Sequence, residues 1–254
     1  MIALSVNLNK IALIRNSRDT CNPDIPLHAK MCIDAGADGI TVHPRPDQRH
    51  IRVRDCFDLA AMLDVEFNIE GNPFTGPRNS ERAGVEDYPG FMALVKEIRP
   101  AQCTLVPDGD GQLTSDHGFD LKRDGERIAP LVQELQALGI RTSLFMDPDP
   151  EQIRLAAQTG TDRIELYTES WAQAYRLGDN VDAVFQQFVE AAETATDAGL
   201  GINAGHDLDL HNLPRFATIA GLQEVSIGHA LTVDAIRMGL AATVAAYQLA
   251  LGNR

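Results

Sequence analysis

Residues 39–50 read Gly-Ile-Thr-Val-His-Pro-Arg-Pro-Asp-Gln-Arg-His. The β-branched run from Ile40 to Val42 gives out into His43, Arg45, Arg49 and His50, groups that are costly to bury without partners. A buried strand that ends this way delivers its polar groups to a loop, where guanidinium forks and imidazoles suit an anionic substrate. Taken singly, each group has a plainer use: His43 as a satisfied core histidine, the others as a solvated loop. Further along, Glu70 and Glu165 each close or lie within a short apolar run, and His206 and His229 follow two more. Carboxylates and imidazoles gathered in a partly dry pocket can have their pKa values moved toward neutrality, which repeated proton transfer requires. Three histidines and two glutamates could also ligate zinc or iron. Against that, Asn7-Leu-Asn9 stands where many metal-dependent barrel hydrolases carry His-x-His, and no HExxH is present. No metal is expected.

The elements that must position these groups alternate along the chain. Short apolar runs at 3–8, 39–42, 66–69, 102–106, 141–146, 163–167, 201–203 and 224–227 predict eight strands. Amphipathic stretches at 26–35, 55–63, 88–98, 125–138, 150–159, 181–198, 210–219 and 232–251 predict eight helices between and after them. Eight βα units in 254 residues predict an α/β fold of the (β/α)8 barrel type, a single domain spanning 1–254. A doubly wound sheet is the rival, but the first turn lacks the glycine fingerprint of a dinucleotide fold. In a barrel, ligands sit at the carboxyl ends of the strands. Asn7, Asn9, His43, Glu70, Glu165, Thr168, Asn203, His206 and His229 all fall at or near such ends. Two segments exceed ordinary loop length, an inserted loop at 71–87 and a segment at 107–124 that reads as an active-site lid.

Two glycine turns look built for phosphate. Asn203-Ala-Gly205-His206-Asp207 and Ser226-Ile-Gly228-His229 close strands seven and eight, where barrels often bind phosphate through amides and a helix N-terminus. Arg18 and Arg45 are placed to hold a second anion. Globally the chain carries a formal charge of −14, which argues against nucleic acid or an anionic membrane as partner. Its four cysteines, Cys21, Cys32, Cys56 and Cys103, form no CxxC pair and fit a reducing cytoplasm. No apolar run reaches transmembrane length, and the first fifteen residues do not read as a signal peptide.

Taken together, residues 6–18, 36–45, 68–70, 143–147, 164–165, 203–206 and 227–230 resemble the pyridoxine 5′-phosphate synthase family, over essentially the whole chain except 71–87. The resemblance implies a cytoplasmic barrel, usually an octamer, that condenses 1-deoxy-D-xylulose 5-phosphate with 3-amino-2-oxopropyl phosphate. The products it implies are pyridoxine 5′-phosphate, phosphate and water, formed by acid/base steps without a cofactor. It makes His43 and Glu70 proton acceptors, His206 the proton donor and Glu165 a stabiliser of charged intermediates. Asn7, Arg18, Gly228 and His229 would hold the aminoketone phosphate, and Arg45, His50 and Thr114 the sugar phosphate. Two departures stand out. Asn9-Lys10 replaces the usual Asp-His, and Lys10 is expected to take over a hydrogen bond or phosphate contact. Asp207 replaces a usual glycine, and its side chain is expected to turn away, cap the following helix and offer only its amide to substrate. Two other readings stay open: a different phosphosugar aldolase or isomerase, and a degenerate barrel that binds phosphometabolites without turnover.

Overall fold

The computed structural model describes residues 1–18, 20–109 and 111–253. Every expected strand forms: β1 Ala3–Asn7, β2 Gly39–Val42, β3 Glu66–Gly71, β4 Gln102–Leu105, β5 Arg141–Met146, β6 Arg163–Tyr167, β7 Gly201–Gly205 and β8 Leu222–Ile227. They pair in chain order, all parallel, and β8 closes on β1 with Ser5 opposite Ser226, so the sheet is a closed (β/α)8 barrel. The helices are α1 Asn9–Asn16, α2 Ile25–Asp34, α3 Val53–Met62, α4 Phe91–Ile98, α5 Leu121–Ala137, α6 Pro150–Gln158, α7 Glu169–Leu177, α8 Val181–Asp197, α9 Leu213–Phe216, α10 His229–Met238 and α11 Leu240–Ala250.

Four of these differ from expectation. Helices α1 and α7 are additional, each following a strand directly at its carboxyl end. The long helix expected over 232–251 is two, broken at Gly239, whose φ of +82° ends one helix before the next begins. Where local signals are strong the boundaries follow them. Asp24 accepts from the Leu27 amide at 2.7 Å ahead of Pro26, and Asp149 caps α6 ahead of Pro150. None of the helices among the described residues is long and apolar enough to cross a membrane.

Strand alternation divides the interior in two. Leu4, Val6, Ile40, Val42, Ile69, Leu105, Leu144, Ile164, Ile202 and Val225 are fully buried in the layer between barrel and helices, where the apolar core sits. The alternate residues fill the barrel itself, and they are polar. Around its middle Ser5 bonds Thr41 at 2.7 Å, and Thr104 donates to Asn68 at 3.2 Å. At the amino-terminal end Arg141 pairs with Glu66 and bonds Gln102, while Arg163 donates to Asn203 at 2.9 Å and to Glu224 at 3.2 Å. Barrel interiors are more usually packed with Val, Ile and Leu. A polar filling is stable only when its groups find partners, as the ones named here do; the Ser143 hydroxyl on β5 is buried without one. Asn203, expected at the active rim, belongs to this lower network.

Candidate active site

At the carboxyl face the same inward positions open into a cavity of about 370 Å³ lined by Asn7, Asn9, Lys10, His43, Arg45, His50, Glu70, Thr114, Glu165, His206, Asp207, Gly228 and His229. Of the residues expected at the site, thirteen of the fourteen are therefore brought together, and the missing one is Arg18. Helix α1 ends at Asn16, which leaves Arg18 exposed outside the cavity. The buried arginine of that helix is Arg15, held at 2.9 Å by Asp55.

The acid/base groups come from four strands, β2, β3, β6 and β7. His43 follows β2, and its amide donates to Asn9 Oδ1 at 2.9 Å, so Asn9 fixes the strand end. Burial, then the positive charge of Arg45 and Arg49, pushes the His43 imidazole down to about 3. Its ring is neutral at physiological pH, with Nδ1 3.9 Å from Glu70 Oε2 and Nε2 3.4 Å from Asp108 Oδ2. Glu70, at the end of β3, receives an amide hydrogen bond from Asn7 at 3.4 Å. Burial and then the charges of Glu165, Asp108 and Glu224 hold its carboxyl well above the usual range. Glu165, inside β6, is raised to about 7 by burial, moderated by His206 and by a hydrogen bond from Thr104 at 3.4 Å. Gly205 makes room for it: a Cβ there would fall on the Glu165 carboxylate. His206 Nε2 faces Thr114 Oγ1 at 2.8 Å, and Tyr167 packs edge-on against the ring at 5.1 Å.

The anion-binding groups lie on two sides. Arg45 is buried, paired with Asp108, and donates to the Gln112 carbonyl at 3.0 Å. His50 accepts from the Ile51 amide at 2.9 Å, and burial, then His43, Arg45, Arg49 and Lys10, lowers its pKa well below the ordinary value. Lys10 thus sets a positive charge on this side of the cavity. Opposite, Gly228 precedes α10, whose first-turn amides, starting at His229, open on the cavity without intrahelical partners.

Two features depart from expectation. Asp207 caps nothing: its Oδ2 lies 2.7 Å from His206 Nδ1, and α9 begins only at Leu213. Asp108 was not anticipated. It accepts from Arg45 and from Ser115 at 3.1 Å, so it ties β2's loop to the 107–124 segment. An Asp-Gly pair after a strand reads as a turn, and its partner is 63 residues away.

A family model described as "Pyridoxal phosphate biosynthesis protein PdxJ" matches residues 4–253. The chain belongs to the PdxJ family. Curated relatives of this PdxJ chain include pyridoxine 5′-phosphate synthase of Xanthomonas campestris pv. campestris (strain B100), 55% identical over 96% of this chain and 94% of the relative. Another is the enzyme of that name from Xylella fastidiosa (strain 9a5c), 52% identical over 96% of this chain and 92% of the relative. Solved structures with the same fold include tryptophan synthase from M. tuberculosis, with a TM-score of 0.58 at 14% identity over 99% of this chain and 88% of that one. At that identity the likeness concerns the barrel alone. The PdxJ match spans 71–87 as well, where the segment braces the site. In it Asn72 donates to the Asp108 carbonyl at 2.6 Å, and Gln48 donates to the Glu86 carbonyl at 2.6 Å.

Proposed function

We propose that this chain is a pyridoxine 5′-phosphate synthase acting in vitamin B6 biosynthesis, condensing 1-deoxy-D-xylulose 5-phosphate with 3-amino-2-oxopropyl phosphate. The observation that carries the reading is the convergence of His43, Glu70, Glu165 and His206 on one cavity with anion-binding groups on both sides. Building a pyridine ring from an amine and two ketones takes imine formation, loss of phosphate, addition of water, an aldol-like closure and aromatisation. Each step moves protons, and the site holds groups poised in different protonation states.

The assignments follow from those states. Neutral His43 accepts a proton. Glu70 accepts a second proton, its basicity raised by burial and by the neighbouring carboxylates. Glu165, near pH 7, stabilises positive intermediates in its charged form. His206 supplies the proton to a departing oxygen. Arg45, His50 and Thr114 hold the sugar phosphate, with Lys10 contributing charge. Asn7, Gly228 and His229 hold the aminoketone phosphate. Segment 107–124 acts as the lid, its Thr114 already against His206.

We place the enzyme in the cytoplasm as a homo-oligomer, an octamer by family likeness. Leu13 and Ile14 of α1 and Val233, Ile236 and Met238 of the neighbouring α10 are exposed apolar side chains on one flank, a face suited to a second copy. Replacing Ile236 with Glu is expected to shift the sedimentation coefficient toward smaller species.

The functional test is inorganic phosphate release and product-ring absorbance with both substrates, then with each alone. Phosphate and ring appearing together only with both supports the synthase. Turnover of one substrate alone would make the chain an aldolase or isomerase, and binding of either phosphate without turnover would make it a sensor.

A further inference from the structure

β7 is followed by two consecutive residues with left-handed backbone, His206 at φ +74° and Asp207 at φ +43°. Glycine adopts this region freely, and aspartate is one of the few other residues that tolerates it. The turn is held from outside. Thr168 Oγ1 donates to the Gly205 carbonyl at 2.9 Å and also to that of His206, and Asn212 donates to the Asp207 carbonyl at 3.1 Å. Such a backbone carries the Asp207 carboxylate back onto its neighbour, Oδ2 to His206 Nδ1 at 2.7 Å.

The protonation of this pair follows from its surroundings. Burial pushes the Asp207 carboxyl up, but the hydrogen bond from His206, then the charges of His206, His229 and Arg176, outweigh it and hold it below the ordinary range. An ionised carboxylate only accepts, so His206 Nδ1 carries the hydrogen. The other nitrogen, Nε2, is thereby the one turned to the cavity and to Thr114 Oγ1.

We infer that Asp207 is a positioning residue that locks His206 in the Nδ1–H form and aims Nε2 at the reacting oxygen. This rests on the acid/base reading above, and it assigns the Asp207 side chain a task other than holding substrate or capping a helix. In the step itself the imidazolium gives its Nε2 proton to the departing oxygen. The N–H bond breaks, its electron pair stays on Nε2, and an O–H bond forms. What remains is the neutral ring with hydrogen on Nδ1, the form Asp207 already holds. Neither ring rotation nor a change of tautomer is then needed before Nε2 is reprotonated for the next turnover.

The test pairs D207G with D207N and reads both resting structure and turnover. D207G suits the left-handed backbone, so its denaturation midpoint is expected at or above that of the unsubstituted chain. Its kcat should fall about 10- to 100-fold, with KM for each substrate changed less than about twofold. D207N keeps an oxygen acceptor and should retain more turnover than D207G. In ¹⁵N NMR of the resting protein, the neutral His206 ring should carry its hydrogen on Nδ1 and lose that preference in D207G. Unchanged kcat in D207G with an unchanged ¹⁵N signature overturns the inference, as does a loss confined to KM for one phosphate. If the unsubstituted chain made no ring from both substrates, the functional reading would fail. The ¹⁵N signature would then still decide the Asp207–His206 contact.

Discussion

Glu165 and Gly205 show how little space separates a working residue from its neighbours. The carboxylate sits where a side chain on β7 would otherwise be, with the Ser226 carbonyl close on the other side. Replacing Gly205 with Ala is therefore expected to cost about 1–3 kcal/mol of stability from overpacking. Displacing Glu165 from its Thr104 hydrogen bond should lower kcat about 10²-fold. Steady-state kinetics alongside chemical denaturation separates the two effects. His43, Glu70, Glu165 and His206 were legible in the sequence because a polar group that ends or interrupts a short apolar run is costly to bury unless it has a partner or a task. Asp108 was not, because a loop aspartate gives no sign of the buried arginine it meets across the fold. Arg18 lies outside the cavity for a helical reason: α1 stops two residues before it.

At the level of elements, the loops after β3 and β4 act on the site together. The 107–124 segment is pinned at Asp108 and Ser115, and Thr114 touches His206. Between them Leu113 lines the cavity while remaining 89% exposed, an apolar side chain with no cover in this state. If it is buried when substrate fills the cavity, full burial is worth about 1.5–3 kcal/mol. L113A should thus raise KM for the sugar phosphate about 10- to 100-fold, while the melting temperature stays unchanged, which a thermal scan beside initial-rate data would register. The eight strands could be read from apolar periodicity because each is short, buried and followed by polar residues. Helices α1 and α7 escaped it. Neither opens on a side-chain cap, and α1 follows β1 with only Leu8 between, so the two run together as one apolar stretch.

For the whole molecule the decisive feature is the polar filling of the barrel. Glu224 is raised from its ordinary value of 4.5 to about 8 by burial, then by the charge of Glu66, against the pull of Arg163. Between those two pH values the folded chain holds a proton that the unfolded chain releases, so stability falls as pH rises from about 4.5 to 8. Glu66 is shifted downward by Arg141 despite its burial, so its contribution is lost only on the acid side of the ordinary range. E224Q is expected to flatten the alkaline decline, measured as the denaturant midpoint across a pH series. The same filling bears on how stability varies with temperature. When this barrel unfolds, water meets Ser5, Thr41, Asn68, Gln102, Thr104, Arg141, Arg163 and Glu224 where other barrels would expose aliphatic side chains. Exchanging roughly 1,000 Å² of apolar for polar surface removes about 0.7 kcal/mol/K from an unfolding heat capacity of about 3 to 4 kcal/mol/K for a chain of this length. Calorimetry should find that smaller heat capacity, and with it a flatter stability curve that gives up less on cooling.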